Sequence, residues 1–160
     1  MNAPSKPRPT CFAELWCEWY MFEPAFGTVT LATGGPEQVR TARRSGEEYL
    51  LQRGLFRRKS TTAVVQPAYL EFAFPYYWHY DILRALDYFR RSGADPDPRM
   101  AEAVAVVQSK RQPDGRWLLD RIHSGRVYFD LEAGVGTPSR WNTLRALRML
   151  DWWDGTGSKL

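Results

Sequence analysis

The sequence predicts an all-α protein built from α/α helical-hairpin repeats, with short β-hairpin-like insertions in its loops. Two internal matches and one periodicity predict it. Asp81-Ile82-Leu83-Arg84-Ala85-Leu86 aligns with Asn142-Thr143-Leu144-Arg145-Ala146-Leu147, 61 residues later. Leu50-Leu51-Gln52-Arg53 aligns with Val106-Val107-Gln108-Ser109, 56 residues later, so the two pairs interleave. Alternating repeats of this length stack helices, each burying its apolar face on its neighbour. Within the matched segments apolar residues recur at helical spacing: Ile82, Ala85, Leu86, Phe89, and Met100, Ala103, Val104, Val107.

The elements follow in order. Residues 1–10 hold three prolines and read as an irregular arm. An aromatic block follows, and Phe12, Leu15, Trp16 and Trp19 give it helical spacing over 11–22. Gly27 to Thr33 reads as extended or loop, and Gly34-Gly35-Pro36 breaks the chain. Pro36 suits the first turn of a helix over 36–53, with Gly54 as its stop. Ala68 to Phe74 reads as a short strand or a tight approach segment, ended by Pro75. A helix starts between Trp78 and Asp81 and runs to Arg91. Asp97-Pro98 places an N-cap before a proline at the first helical position, opening a helix over 98–110. Residues 116–120 and 126–131 suit a hairpin joined through His123-Ser124-Gly125. Ser139 caps a last helix over 139–153, and residues 154–160 form a frayed tail. The repeat domain is thus residues 11–153.

Composition narrows the function classes. The chain has 160 residues, enough for one domain with a real core. Its aromatic fraction of 14 % fills a core or lines an apolar pocket. The net charge of +4 is mild and its arginines are scattered, so a nucleic-acid surface is not expected. Cys11 and Cys17 fit neither a disulfide framework nor a Cys-x-x-Cys pair, so a reducing cytoplasm is the expected setting. No signal peptide and no membrane span are read.

The segment Gln112-Pro113-Asp114-Gly115-Arg116-Trp117 resembles the QW repeat (Gln, a few residues, Gly-x-Trp) of the squalene–hopene cyclase and protein prenyltransferase superfamily. The blocks from Trp78 to Leu86 and from Ser139 to Leu147 look like inner helices of its α/α toroid. The resemblance covers residues 45–153 and extends to bacterial toroid proteins of unassigned activity. It implies alternating helices: 11–22, 78–91 and 139–153 inner, 36–53 and 98–110 outer. Independently of family, Gly115 lets the chain turn after a helix. Trp117 then folds back to donate its N–H to a helix-end carbonyl.

The family's chemistry does not carry over. Cyclases protonate their substrate with Asp-x-Asp-Asp, whereas Asp95-Pro96-Asp97-Pro98 lacks the paired aspartates. No Asp, Cys and His set has zinc-ligand spacing, Asp120 and His123 being a lone pair, and no Asp-Asp-x-x-Asp serves magnesium. No metal or cofactor is expected. A closed toroid also uses more helix pairs than this chain supplies. The expectation is a truncated toroid, or a protomer completing its barrel as a homo-oligomer through exposed apolar end faces.

The candidate site lies at the inner-helix starts. His79 is the candidate acid or base and Asp81 the residue orienting it. Trp78, Tyr80, Arg84, Arg140, Trp141, Asn142 and Arg145 are the candidate ligand-binding residues, with Arg140 or Arg145 holding an anion. The competing reading makes Asp81 and Asn142 helix caps, and pairs Arg84 and Arg145 with Glu71, Asp130 or Glu132. His123 reads as an exposed turn residue. Tyr69, Phe72, Phe74, Tyr76, Tyr77 and Tyr128, with the two tryptophans, line a cavity or fill the core. The leading functional expectation is binding of an apolar, isoprenoid-like small molecule in an aromatic cavity. The alternatives are an acid–base enzyme using His79 and Asp81, and a structural or oligomerisation module.

Overall fold

A computed structural model describes residues 36–125 and 128–155. The arm over 1–10, the helix over 11–22, the extended piece over 27–33 and the last five residues of the tail lie outside them. The described residues are mainly helical, with one two-stranded antiparallel sheet: α1 (Glu37–Leu51), α2 (Ile82–Arg91), α3 (Ala101–Ser109), β1 (Trp117–Leu118), β2 (Pro138–Ser139) and α4 (Arg140–Gly155). Two compact units divide at Glu47 and Glu48. In the first, the start of α1 is polar and carries an ion pair between Arg43 and Glu47 at 3.4 Å. Among the described residues, the buried core lies in the second.

In that second unit α1 ends as its glycine predicts. Gly54 adopts φ +50° and Leu55 φ +72°. The Leu55 N–H reaches back to the Leu50 carbonyl at 3.0 Å, the long bond of a Schellman-type close. This turn drives Leu55 and Phe56 into the core. Tyr80 crosses to the same place, its hydroxyl donating to the Leu55 carbonyl at 2.6 Å.

The central helix is α2, packed on both α3 and α4. Asp81 caps it, one carboxylate oxygen accepting from the Arg84 N–H at 2.6 Å. Ile82, Leu83, Ala85, Leu86 and Phe89 are buried. Each large apolar side chain among them contributes roughly 1.5–3 kcal/mol by leaving water. Asp97 caps the next segment through the Arg99 N–H at 2.8 Å. Its first turn, Pro98–Met100, is a 3₁₀ turn that leads into α3. Trp117 then closes the turn after α3, its indole N–H donating to the Val107 carbonyl at 2.7 Å. Gly115, at φ +84°, makes that return possible.

The connections differ from expectation in one important way. β1 pairs with β2, Trp117 opposite Ser139 and Leu118 opposite Pro138, and residues 128–131 form no strand. The reason is a clamp onto the start of α4. The Trp117 N–H donates to Thr143 Oγ1 at 3.0 Å, and Asn142 Nδ2 donates to the Leu118 carbonyl at 3.4 Å. With β1 fixed there, the residues entering α4 are the strand it meets. Ser139 caps α4 as expected, accepting from the Asn142 N–H at 3.0 Å. The helix runs on to Gly155, two residues into the expected tail.

Residues 67–74 form a tight approach. A 3₁₀ turn over Pro67–Leu70 leads to Phe72, whose N–H donates to Asp120 Oδ2 at 2.8 Å and whose carbonyl accepts from the Asp120 N–H at 2.9 Å. Asn142 Nδ2 donates to the same carbonyl at 3.2 Å. Three separate stretches of chain therefore meet where α2 and α4 begin.

Candidate functional site

That meeting point holds a buried polar cluster. Asp81, Arg84, Asn142 and Arg145 are all buried. Arg145 Nη2 lies 3.7 Å from Asp81 Oδ1, within ion-pair range but beyond hydrogen-bond length. Arg84 Nη1 donates to the Tyr77 and His79 carbonyls at 3.1 and 2.9 Å. The guanidinium carbons of Arg84 and Arg145 sit over the Tyr76 ring, 4.6 and 4.7 Å from its centre. Arg145 Nη1 reaches Asn142 Oδ1 at 3.4 Å, while its Nε and Nη2 find no hydrogen-bond acceptor. Burial pushes the Asp81 carboxyl above its usual range, against the opposing pull of Arg145 and the Arg84 N–H.

The expected pairing of both arginines with Glu71, Asp130 or Glu132 is therefore corrected. Arg145 takes Asp81, and Arg84 takes carbonyls of the segment before its own helix. Glu71 pairs with Arg121 instead. Glu132 accepts from Ser139 Oγ at 2.5 Å. The two repeat copies are also out of phase. Asp81 is the N-cap of α2, whereas its counterpart Asn142 lies one turn inside α4.

His79 and Asp81 are not partnered. Asp81 turns inward to the cap and to Arg145, whereas His79 lies in a stack of three rings. Its ring centre is 3.8 Å from that of Trp78 and 3.5 Å from that of His123, the imidazoles being within 8° of parallel. His123 is thus partly buried against His79 rather than an exposed turn residue. The segment that presents this stack is strained. Tyr77 has φ +44°, and a Cβ at Gly125 would come within 3.1 Å of the Tyr77 ring. Burial, then Arg121 and Arg84, hold the His79 imidazole below its usual range. Burial, then His79 and Arg121, do the same for His123, with Glu71 opposing.

The remaining candidates separate. Tyr80, expected at a pocket rim, is a core strut, edge-on to Tyr69 with ring centres 4.7 Å apart. Asn142, expected beside it, is fully buried and donates to the Phe72 and Leu118 carbonyls. Arg140 is exposed and donates to the Leu131 carbonyl at 3.2 Å. Trp141 is stacked on Phe74 at 5.0 Å. A concavity of about 60 Å³ lies between Phe72, Lys110, Gln112, Trp117, Leu118 and Asp120. Among the described residues no group of three or more His, Cys, Asp or Glu could hold a metal ion, and no helix is long and apolar enough to cross a membrane.

The feature that residue-by-residue reading missed is on the other side of α4. Leu144 and Leu147 are 38 % and 43 % exposed, while Leu83 and Leu86, their counterparts in the first copy, are fully buried. The signal was present in the repeat itself: the same apolar letters recur in both copies, at Leu83 and Leu86 and at Leu144 and Leu147. No known protein family, curated protein or solved structure gives a significant match to this chain.

Proposed function

We propose that the chain is a docking module whose working surface is the outer face of α4. The observation that carries this is the contrast between Leu144–Leu147 and Leu83–Leu86. The matched leucines of α2 are fully buried, and those of α4 are partly exposed to solvent. Removing such residues from water is the main drive for association. Val135, Tyr128 and Phe129 are further exposed apolar side chains, in the connection before β2.

The small-molecule reading has less support. The concavity between Phe72, Lys110 and Trp117, about 60 Å³, is well below the roughly 300–1,000 Å³ of sites that enclose a drug-sized ligand and does not itself supply such a site. Tyr80 and Asn142 are occupied in the core, and Asp81 is occupied by the α2 cap and Arg145. An acid–base pairing of His79 with Asp81 has no contact behind it.

The test is site-specific photo-crosslinking in cells, with the reactive side chain at position 147 and a control at exposed position 105 on α3. The expected result is a protein adduct from 147 that disappears in L144E, and none from 105. Absence of any adduct from 147 removes the docking reading.

A further inference from the structure

We propose that the occupant of the α4 face is a second copy of this chain, docked antiparallel with α4 against α4. The inference rests on the docking reading and names its partner. Along α4, Arg140, Leu144, Leu147 and Asp151 are exposed and follow a four, three, four spacing. At 100° per residue these four fall on one narrow face. The face is basic at its first residue, apolar at its middle and acidic at its end.

That charge order opposes the helix's own dipole. α4 has no acidic residue in its first turn and no basic residue in its last. Instead Arg140 sits at the positive end, and Asp151 and Asp154 lie toward the negative end. Each of these placements is unfavourable for an isolated helix. An antiparallel neighbour reverses the sense: its N-terminus, with its Arg140, lies beside these aspartates.

The register follows from the sequence positions. Arg140 with Asp151 and Leu144 with Leu147 share one midpoint, between residues 145 and 146. A twofold axis there sets Arg140 against Asp151 of the partner subunit, and Leu144 against Leu147 of the partner subunit. Both pairings occur twice, as a closed isologous contact requires. A parallel arrangement would set Arg140 on Arg140 and is disfavoured.

The experiment is sedimentation velocity on the full chain with L144E, R140D, D151R and an equimolar mixture of R140D and D151R. The wild type is expected to be a dimer, and L144E a monomer. Each single charge reversal weakens self-association by about tenfold, because two exposed ion pairs become repulsive contacts. The mixture recovers the dimer as a heterodimer, since each chain then supplies the charge the other lacks. Melting temperatures of R140D and D151R, measured where they are monomeric, stay level or rise, because both reversals suit the helix dipole. A monomeric wild type, a dimer indifferent to L144E, or a mixture that fails to recover would each overturn self-pairing. If the wild type is monomeric yet position 147 crosslinks to a different protein, self-pairing falls and the docking reading stands. If neither dimer nor crosslink is found, both fall.

Discussion

Replacing Asp81 with alanine tests whether the buried cluster holds the two repeat copies together. Two losses follow from the geometry. The α2 cap bond to the Arg84 N–H, 2.6 Å long, disappears, which costs about 1 kcal/mol. Arg145, itself buried, loses the carboxylate 3.7 Å from its Nη2. Stripping one member from a buried ion pair costs roughly 3–5 kcal/mol. Here the lower end applies, because the contact is not a hydrogen bond and because removing Asp81 also removes the carboxylate's own burial penalty. The sum is about 4 kcal/mol, a large share of the roughly 5–15 kcal/mol of a typical domain. The assay is urea unfolding of D81A, R145M and the double variant, followed by circular dichroism. In D81A/R145M no charge is left stranded, so the double variant should be less destabilised than the two singles summed, by about 1–3 kcal/mol. A D81A cost near 1 kcal/mol with no coupling to R145M would falsify the cluster, leaving Asp81 as a cap alone.

Trp117→Phe removes the donor to the buried Val107 carbonyl and should cost about 1–3 kcal/mol in the same urea assay; a neutral result would mean that the indole only fills space. The stacked imidazoles give a pH dependence whose sign is fixed. Both folded values lie below the ordinary 6.5, so the folded state binds fewer protons than the unfolded one. Stability from the pair is complete above 6.5 and is lost as the pH falls through the lowered values. H79F/H123F keeps stacked rings without titration, so its melting temperature should drop less than the wild type's across that window; equal drops would remove the stack as the source.

What was legible in the sequence was local. Asp81, Asp97 before Pro98, and Ser139 all cap helices, because a cap is decided within three residues of itself. The return of Trp117 to α3 spans ten residues and one glycine turn, and it too was legible. The long-range pairs were not. Arg145 had Glu132 and Asp130 nearer in sequence, yet it meets Asp81, which is reached only when α2 and α4 pack. The partner of β1 depended on the same packing, through Asn142 and Thr143. His123 gave no sign of stacking on His79, because a ring in a Gly/Ser turn looks alike whether solvated or covered. The match to Leu83 and Leu86 marked Leu144 and Leu147 as apolar helix positions but says nothing of what covers them.

The matched repeats then explain where function is to be sought. In the first copy Asp81 caps its helix and takes Arg145. In the second the corresponding residue, Asn142, clamps Phe72 and Leu118. Arg84 and Arg145 converge on one tyrosine from the two helices. Of the polar residues that first suggested chemistry, Asp81, Asn142 and Arg145 are thus buried in joining one matched segment to the other, whereas His79 lies in the ring stack and Arg140 is exposed. Joining consumes one face of each helix. α2 packs on α3 as well as on α4, and its Leu83 and Leu86 are fully buried. In α4 the corresponding leucines meet solvent, flanked by charges set against the helix's own dipole. A helix that exposes the leucines its matched segment buries, with charges that suit an antiparallel neighbour, is the face that the proposed self-pairing would cover with residues the chain already supplies.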